Sequence, residues 1–363
     1  MVINHELLTE RMADIFAARG VPRGEAELVA KDLVGANLSG VDSHGVLRIP
    51  QYLNEMDQGS IVAGAKVCVV KQTKTTAIVD CGHNFGQVGA TFAAQLAADK
   101  AREMGVAAVI TLHSNHIGRL GTYTEMIARA GLIGFGTAAV YTVGPMAPFG
   151  GREGRLGTNP VSYAVPRSGG EPIVMDAATT VVAEGKLRAY IQKSEDVPPG
   201  WIRDAEGRDT TDPMRFYGPP RGTILPMGGG AKGSALGLMA DLFSVALAND
   251  DYWTCIEKGE QPSAQNGLFI MALNPDMFFG AGAFAEQCEK HARFIKNTPP
   301  AAGFDEVLLP GELEQRTAAR RAREGVELPD RTFFGLARIA RGLGLAWAQE
   351  MDIPDEDTAF VAM

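Results

Sequence analysis

Asp42, Ser43, His44, Arg48, Gln51 and Tyr52 crowd into residues 41–52, the densest polar cluster in the first part of the chain. A helix beginning near Gly45, with Pro50 tolerated in or near its first turn, sets His44, Arg48 and Tyr52 at successive i, i+4 positions on one face. An imidazole, a guanidinium and a phenol side by side suit a 2-oxo acid: Arg48 can grip the carboxylate at two points while His44 exchanges a proton with the substrate oxygen. The plainer alternative is that Ser43 caps the helix and the rest is surface. A motif this short does not decide between them.

A second cluster, residues 112–121, contains His113, Ser114, Asn115, His116, Ile117, Gly118, Arg119 and Leu120 between a buried strand and a helix. Ligands gather at such strand-to-helix turns in open α/β sheets. Backbone N–H groups at the helix start could meet a phosphate with Arg119 assisting, and His116 could face a nicotinamide or the substrate. His113 and His116 have a spacing that could suit a metal, but no nearby carboxylate or cysteine completes a ligand set. His113 is therefore read as a hydrogen-bonded structural residue, and no metal is expected.

Gly228, Gly230 and Gly233 formally satisfy G-x-G-x-x-G. The segment before them is short and broken by Pro226, and it lies beyond several strand and helix units, so a Rossmann fingerprint is not inferred. Two readings stay open. One is a tight turn; the other is a turn that brings Lys232 to a phosphate or carboxylate at the start of the next helix.

Hydrophobic periodicity supplies the elements that must position these groups. Helices are predicted over 5–19 and 24–38, the latter from Val29, Leu33 and Asn37. Two short strands follow at 66–72 and 76–80. An α/β alternation then runs through a helix 87–104, a strand 106–112, a helix 121–130 and a strand 133–137. Strands 161–165 and 173–175 and a helix 182–192 come next. Residues 194–230, rich in Pro, Gly and Asp, read as a long ordered excursion with a turn at 204–207. An apolar helix 234–248, a buried strand 267–273 and helices 281–296, 312–323 and 332–347 complete the pattern, with an acidic tail expected to be loose.

With 45% hydrophobic and 21% charged residues over 363 positions, the composition is that of a folded protein large enough for two packed lobes. The net charge of −9 and the lack of a basic run argue against nucleic acid as a partner. The four cysteines, Cys68, Cys81, Cys255 and Cys288, are far apart and suggest reduced thiols rather than a disulfide framework. No apolar leader follows a basic start, and no stretch of about 18 apolar residues is evident, so a cytoplasmic protein without a membrane partner is expected.

Six motifs occur together in an order and spacing that can be compared with known families. They are Asp42-Ser43-His44-Gly45 with Arg48 and Tyr52, the run Ser114 to Arg119, Pro148 to Arg152, Gly157-Thr158-Asn159-Pro160, Met175 to Thr180, and Leu309-Pro310-Gly311-Glu312. In this the chain resembles the non-Rossmann malate/L-lactate dehydrogenases, which include ureidoglycolate dehydrogenase, diketogulonate reductase, sulfolactate dehydrogenase and hydroxycarboxylate dehydrogenase B. The resemblance covers nearly the whole chain. It implies an α/β fold: a mixed-sheet NAD(P)-binding domain over 74–312 and a helical domain from both chain ends, 1–73 with 313–363, in a homodimer.

The resemblance also implies roles. His44 becomes the proton donor, Ser43 its relay partner and Arg48 the carboxylate clamp beside Tyr52, with Asn159 in the pocket wall. His116 competes with His44 for the acid/base role. NAD or NADP is placed along His116, Ile117, Gly118, Arg119 and Leu120, along Asp176, Ala177, Ala178, Thr179 and Thr180, and at Lys232, Gly311 and Glu312. The substrate expected is a small 2-hydroxy/2-oxo acid pair such as malate, lactate or ureidoglycolate. Two positions depart from the pattern: Ala231 where many members have a histidine before the lysine, and Lys186 where the related cyclic imine reductases carry an acid. The latter disfavours an imine-2-carboxylate substrate. The other competing readings are a metal-dependent lyase or hydrolase built on His113 and His116, and a binding protein that has lost the chemistry.

Overall fold

The computed structural model describes residues 1–140, 144–248, 252–258 and 266–354. The chain opens with β1 (Val2–Ile3), α1 (His5–Ala18), α2 (Arg23–Leu38), two 3-10 turns at Asp42–His44 and Val46–Arg48, and α3 (Ile49–Asp57). Next come β2 (Cys68–Gln72), β3 (Thr76–Asp80), α4 (Gly86–Met104), β4 (Val106–Leu112), α5 (Gly121–Arg129), β5 (Ile133–Val140), β6 (Val161–Val165) and β7 (Ile173–Ala177). An excursion holds α6 (Glu184–Lys193), β8 (Ile202–Arg203), β9 (Asp209–Thr210), α7 (Met214–Tyr217) and β10 (Thr223–Ile224). The remainder is α8 (Ala231–Ser244), α9 (Tyr252–Lys258), β11 (Asn266–Leu273), α10 (Ala281–Lys296), α11 (Glu312–Glu324), β12 (Val326–Glu327), α12 (Asp330–Gly342) and α13 (Ala346–Gln349). Residues 355–363 of the acidic tail lie outside the described residues.

Seven strands form one sheet in the order β2-β3-β4-β11-β5-β6-β7. Only β3 and β4 pair parallel, and every other neighbour is antiparallel, so the sheet is mixed. α4 lies close on it because its inner face is almost all alanine: Ala90, Ala93, Ala94, Ala97, Ala98 and Ala101 are buried. A Cβ at Gly89 would sit 2.3 Å from Cys81 Sγ, so only glycine permits that approach.

The two chain ends share a second core. Leu8, Phe16, Leu33, Ile49 and Tyr52 from α1 to α3 pack with Phe333, Leu336 and Ala340 of α12. Asn4 starts α1 by accepting from the amides of Glu6 and Leu7. Truncating a buried residue such as Phe16 to alanine in such a core costs about 3–5 kcal/mol. The excursion has its own small core of Val182, Leu187, Val197, Ile202, Phe216 and Ile224, and the turn at 204–207 closes with the Gly207 amide on the Asp204 carbonyl at 3.0 Å.

One sequence expectation needs correction. Ala231–Ala248 reaches a mean hydropathy of 1.3 over 18 residues, long and apolar enough to cross a membrane by length and composition. It nonetheless carries Lys232 and Asp241. Its small residues Gly233, Gly237, Ala240 and Ser244 are buried, and Ser244 Oγ donates to the Thr137 carbonyl on β5 at 2.9 Å. The high hydropathy comes from a second apolar face turned away from the sheet.

Candidate active site

The polar cluster of residues 42–52 is not one continuous helix. Gly45 is extended and divides the two 3-10 turns, so His44 precedes α3 rather than lying on it, and Pro50 falls in the first turn of α3. The bend follows from the approach of α2: a Cβ at Gly45 would be 2.3 Å from Asn37 Oδ1. Asn37 uses that oxygen to accept from the Val46 amide at 2.9 Å, and its Nδ2 donates to Asp42 at 2.6 Å. Arg321 of α11 pairs with Asp42 at 2.8 Å, so the C-terminal part of the chain helps hold the turn that presents Ser43 and His44.

The segment after β4 is held from the other side. Asn115 Nδ2 donates to the carbonyls of Ser60 and His83 at 2.9 and 2.8 Å, and α4 starts against the His116 backbone at Gly86, where any Cβ would collide with the Asn115 and His116 carbonyls. The two segments meet at their histidines. His44 and His116 stack with ring centroids 5.5 Å apart and planes 20° from parallel. Ser43 Oγ lies 3.0 Å from His44 Nδ1, and Tyr52 Oη lies 2.7 Å from His116 Nδ1. Both Nδ1 atoms are thus engaged by hydroxyls, and neither Nε2 makes a hydrogen bond to another described residue.

Arg48 is fixed beside them: Nε donates to the Ser43 carbonyl at 2.7 Å and Nη1 to Gln51 Oε1 at 2.8 Å. The remaining Nη hydrogens can grip a carboxylate. Burial pushes His44 down to about 4, with Arg48 and Arg119 adding to the effect. Burial also drives His116 well below the usual histidine value, helped by Arg48 and His44. Both rings are therefore neutral at pH 7 until an anion arrives. The Tyr52 phenol is shifted up, chiefly by burial, and stays protonated.

Sequence reasoning missed Gln87 and Asp32. Gln87 Nε2 donates to Tyr52 Oη at 2.8 Å, and Asp32 lies behind it. The available signal was weak: Asp32 sits at the margin of the buried face of α2, three residues from Val29 and four from Ala36.

The remaining sequence candidates fall along a strip beside this cluster. Arg119 is buried between Asp176 at 3.5 Å and Glu125 at 3.6 Å. The Gly121 amide at the start of α5 is already capped by Asp176 Oδ2 at 2.8 Å, so that helix start does not present it to a phosphate. A cavity of about 270 Å³ has a lining of mixed charge that includes Arg119, Arg129, Glu125, Glu171, Glu314 and Gly311. From Asp176 the chain runs through Ala177 and Ala178 to Thr179 and Thr180, which are buried against the segment before α8. Lys232 is exposed in the first turn of α8 and makes no ion pair with another described residue.

Two candidates are engaged elsewhere. Glu312 binds Lys296 and Arg316; burial opposes its ionisation, but the Leu309 amide and those two cations outweigh it and hold the carboxyl at about 2. Asn159 Nδ2 donates to the Gly237 carbonyl and Asp241 on α8, rather than to the His44 and Arg48 cluster. His113 pairs with Asp80 at 2.9 Å and its ring packs on His83, away from His116.

A profile of the malate/L-lactate dehydrogenase family matches residues 3–337. The chain is 34% identical over 347 residues to the L-sulfolactate dehydrogenase of Methanocaldococcus jannaschii, covering 95% of this chain and 98% of that protein. It is also 34% identical over 334 residues to hydroxycarboxylate dehydrogenase B of Escherichia coli, covering 91% of each. The solved structure of the M. jannaschii enzyme superposes with a TM-score of 0.85 over 95% of this chain and 98% of that one, at 33% identity.

Proposed function

Because the chain belongs to the malate/L-lactate dehydrogenase family, whose named relatives here are hydroxy-acid dehydrogenases, we propose that it interconverts one small 2-hydroxy acid and its 2-oxo acid with NAD or NADP at the His44, Arg48 and His116 site. The observation that carries this reading is the stacked histidine pair, each ring engaged at Nδ1, beside a guanidinium whose plane is fixed. Arg48 takes the carboxylate. Ser43 Oγ can donate to or accept from His44 Nδ1, so His44 Nε2 can carry or lack a proton and serve either direction. Tyr52 accepts from Gln87, so its proton points to His116 Nδ1, and His116 presents Nε2–H to the substrate oxygen.

The chain also offers a fit for a dinucleotide. The cavity beside Arg119 could take an uncharged part of it, since Glu125, Glu171 and Glu314 in the lining oppose a phosphate, and a Cβ at Gly311 would lie 2.8 Å from the Val174 carbonyl, so only glycine permits that close packing of the wall. Thr179 and Thr180 follow on the same strip, and Lys232 supplies an exposed cation for a phosphate. A reduced nicotinamide, when bound, supplies the hydride for C2. His44 gives the substrate oxygen its proton in that direction and removes it in the other.

Mixing NADH or NADPH with pyruvate, oxaloacetate, sulfopyruvate, an aromatic 2-oxo acid and a cyclic imine-2-carboxylate tests the assignment. Consumption with at least one 2-oxo acid and none with the imine is expected; consumption only with the imine contradicts it. The pH profile gives a second check. Hydroxy-acid oxidation needs neutral His44, so its rate falls as pH drops through that group's pKa. In the free site this lies near 4, and a bound carboxylate that offsets Arg48 raises it. The acid limb of kcat is therefore expected at higher pH than that of kcat/KM.

The outer face of α8 is the reading's support for a homodimer. Leu236, Leu238, Met239, Leu242 and Phe243 are each 37–49% exposed along that helix. A helix apolar on both sides needs a second cover, and a second copy offers a matching face about a two-fold axis. Leu238→Lys combined with Met239→Glu is expected to convert the dimer to monomer in analytical ultracentrifugation. An unchanged sedimentation coefficient would place the interface elsewhere.

A further inference from the structure

Asp32 sits on α2 with both carboxyl oxygens shut off from solvent, and neither makes a hydrogen bond of normal geometry to a described residue. Gly118, at φ +74°, leaves the space in which it lies: a Cβ there would be 2.4 Å from Asp32 Oδ2 and 3.4 Å from Gln87 Nε2. The Gln87 amide stabilises the Asp32 carboxylate and reaches on to Tyr52, its Nε2 donating to Tyr52 Oη at 2.8 Å, while its Oε1 has no partner among the described residues. Tyr52 Oη in turn lies 2.7 Å from His116 Nδ1. Four side chains from α2, α4, α3 and the turn after β4 form one line that ends at the candidate active site.

We propose, building on the function above, that Asp32 is a positioning residue that sets the tautomer of His116 through Gln87 and Tyr52. An ionised Asp32 only accepts, so it draws the Gln87 amide nitrogen toward itself and Tyr52 together. Tyr52 then accepts from Gln87, its one proton goes to His116 Nδ1, and His116 carries its proton on Nε2. A protonated Asp32 can donate to Gln87 Oε1 instead. The amide reverses, Tyr52 donates to that oxygen and accepts from His116 Nδ1–H, and Nε2 is left bare. One proton on Asp32 thus changes whether His116 offers the substrate a donor or an acceptor.

The surroundings place this switch in the working pH range. Burial raises Asp32 to about 7, opposed by the Thr122 hydroxyl, the Arg119 charge and the Gln87 amide. The charged or titratable groups that face it are Arg119 after β4, Tyr52 on α3 and Tyr123 on α5. With its folded value above the unfolded one, Asp32 lowers stability as pH rises from about 4 to about 7, and the loss persists above. A residue that weakens the fold while touching a line into the active site is best explained by what that line does.

The test uses full-length protein labelled with 15N in histidine, in wild type and in Asp32→Asn. In wild type the His116 nitrogen signals are expected to exchange tautomer between pH about 6 and about 8; in Asp32→Asn they should hold one pattern throughout. Asp32→Asn should also raise Tm at pH 8 yet lower kcat by about tenfold to a hundredfold with little change in KM. In a Gln87→Met background the Asp32→Asn change should have no further effect on kcat. His116 signals that titrate alike in both proteins, or effects of the two substitutions that multiply, would overturn the proposal. The resonance measurement needs no turnover, so a failure of the dehydrogenase reading would leave it decisive.

Discussion

Replacing His44 by asparagine is expected to lower turnover by roughly a hundredfold to ten-thousandfold, the range that general acid–base catalysis supplies. NAD(P) binding should stay close to wild type, because among the described residues the His44 ring contacts run to Ser43 and the His116 ring rather than to the strip from Asp176 to Lys232. The acid limb that neutral His44 gives the kcat profile of hydroxy-acid oxidation should disappear with it, while any dependence set by Asp32 remains. His116→Asn should behave differently. His116 is tied through Tyr52 and Gln87 to the body of the fold, so it acts as a positioned hydrogen-bonding group beside the expected nicotinamide, and its loss should weaken cofactor binding along with turnover. Rapid-kinetic pH profiles and cofactor titration by tryptophan fluorescence distinguish the pair. If the acid limb is lost only in His116→Asn and kept in His44→Asn, the two roles are reversed.

Arg48→Lys carries the second large effect. Lysine keeps the charge but loses the planar fork, and it cannot donate at once to the Ser43 carbonyl, Gln51 and a two-oxygen carboxylate. Losing one hydrogen bond to a charged group costs about 1.5–3 kcal/mol. At about 1.4 kcal/mol per tenfold, kcat/KM is expected to fall by about tenfold to a hundredfold, mostly through KM. Because Arg48 also holds the Ser43 carbonyl, a smaller loss in kcat should accompany it. An unaltered KM would place Arg48 outside the carboxylate site.

Much of the frame was legible in the residues. Strand 106–112 and helix 281–296 agree with β4 and α10 to the residue, and the alternation over 87–137 gives the sheet and its covering helices. The two-residue strands β8, β9 and β10 were not, because pairs that short carry no period and exist only through their partners. Periodicity also misread the approach to α3. Nothing local to Gly45 indicates that Asn37, eight residues earlier, occupies the space a side chain would need.

The site was legible to the extent that its members sit in short motifs. His44, Arg48 and Tyr52 were grouped as helical neighbours, whereas they meet because His116 arrives from 64 residues beyond Tyr52. Gln87 and Asp32 lie 55 positions apart and are joined only by the fold, so no spacing rule could pair them. Asn159 and Glu312 belong to matching motifs, yet their side chains are engaged with α8 and with Lys296 and Arg316. A motif fixes which residue is present; the contacts decide what remains free to bind.

The central claim is that this chain moves a hydride to the C2 carbon of a 2-oxo acid while a histidine protonates the oxygen. Reduction of an accepted 2-oxo acid with C4-deuterated NADH or NADPH, followed by mass spectrometry and proton NMR of the product, tests it directly. The 2-hydroxy acid formed with the transferable deuterium should carry one deuterium at C2. The same reaction run with unlabelled cofactor in heavy water should leave C2 undeuterated. A product whose C2 hydrogen comes from solvent, or no 2-hydroxy acid with either cofactor, would contradict the account.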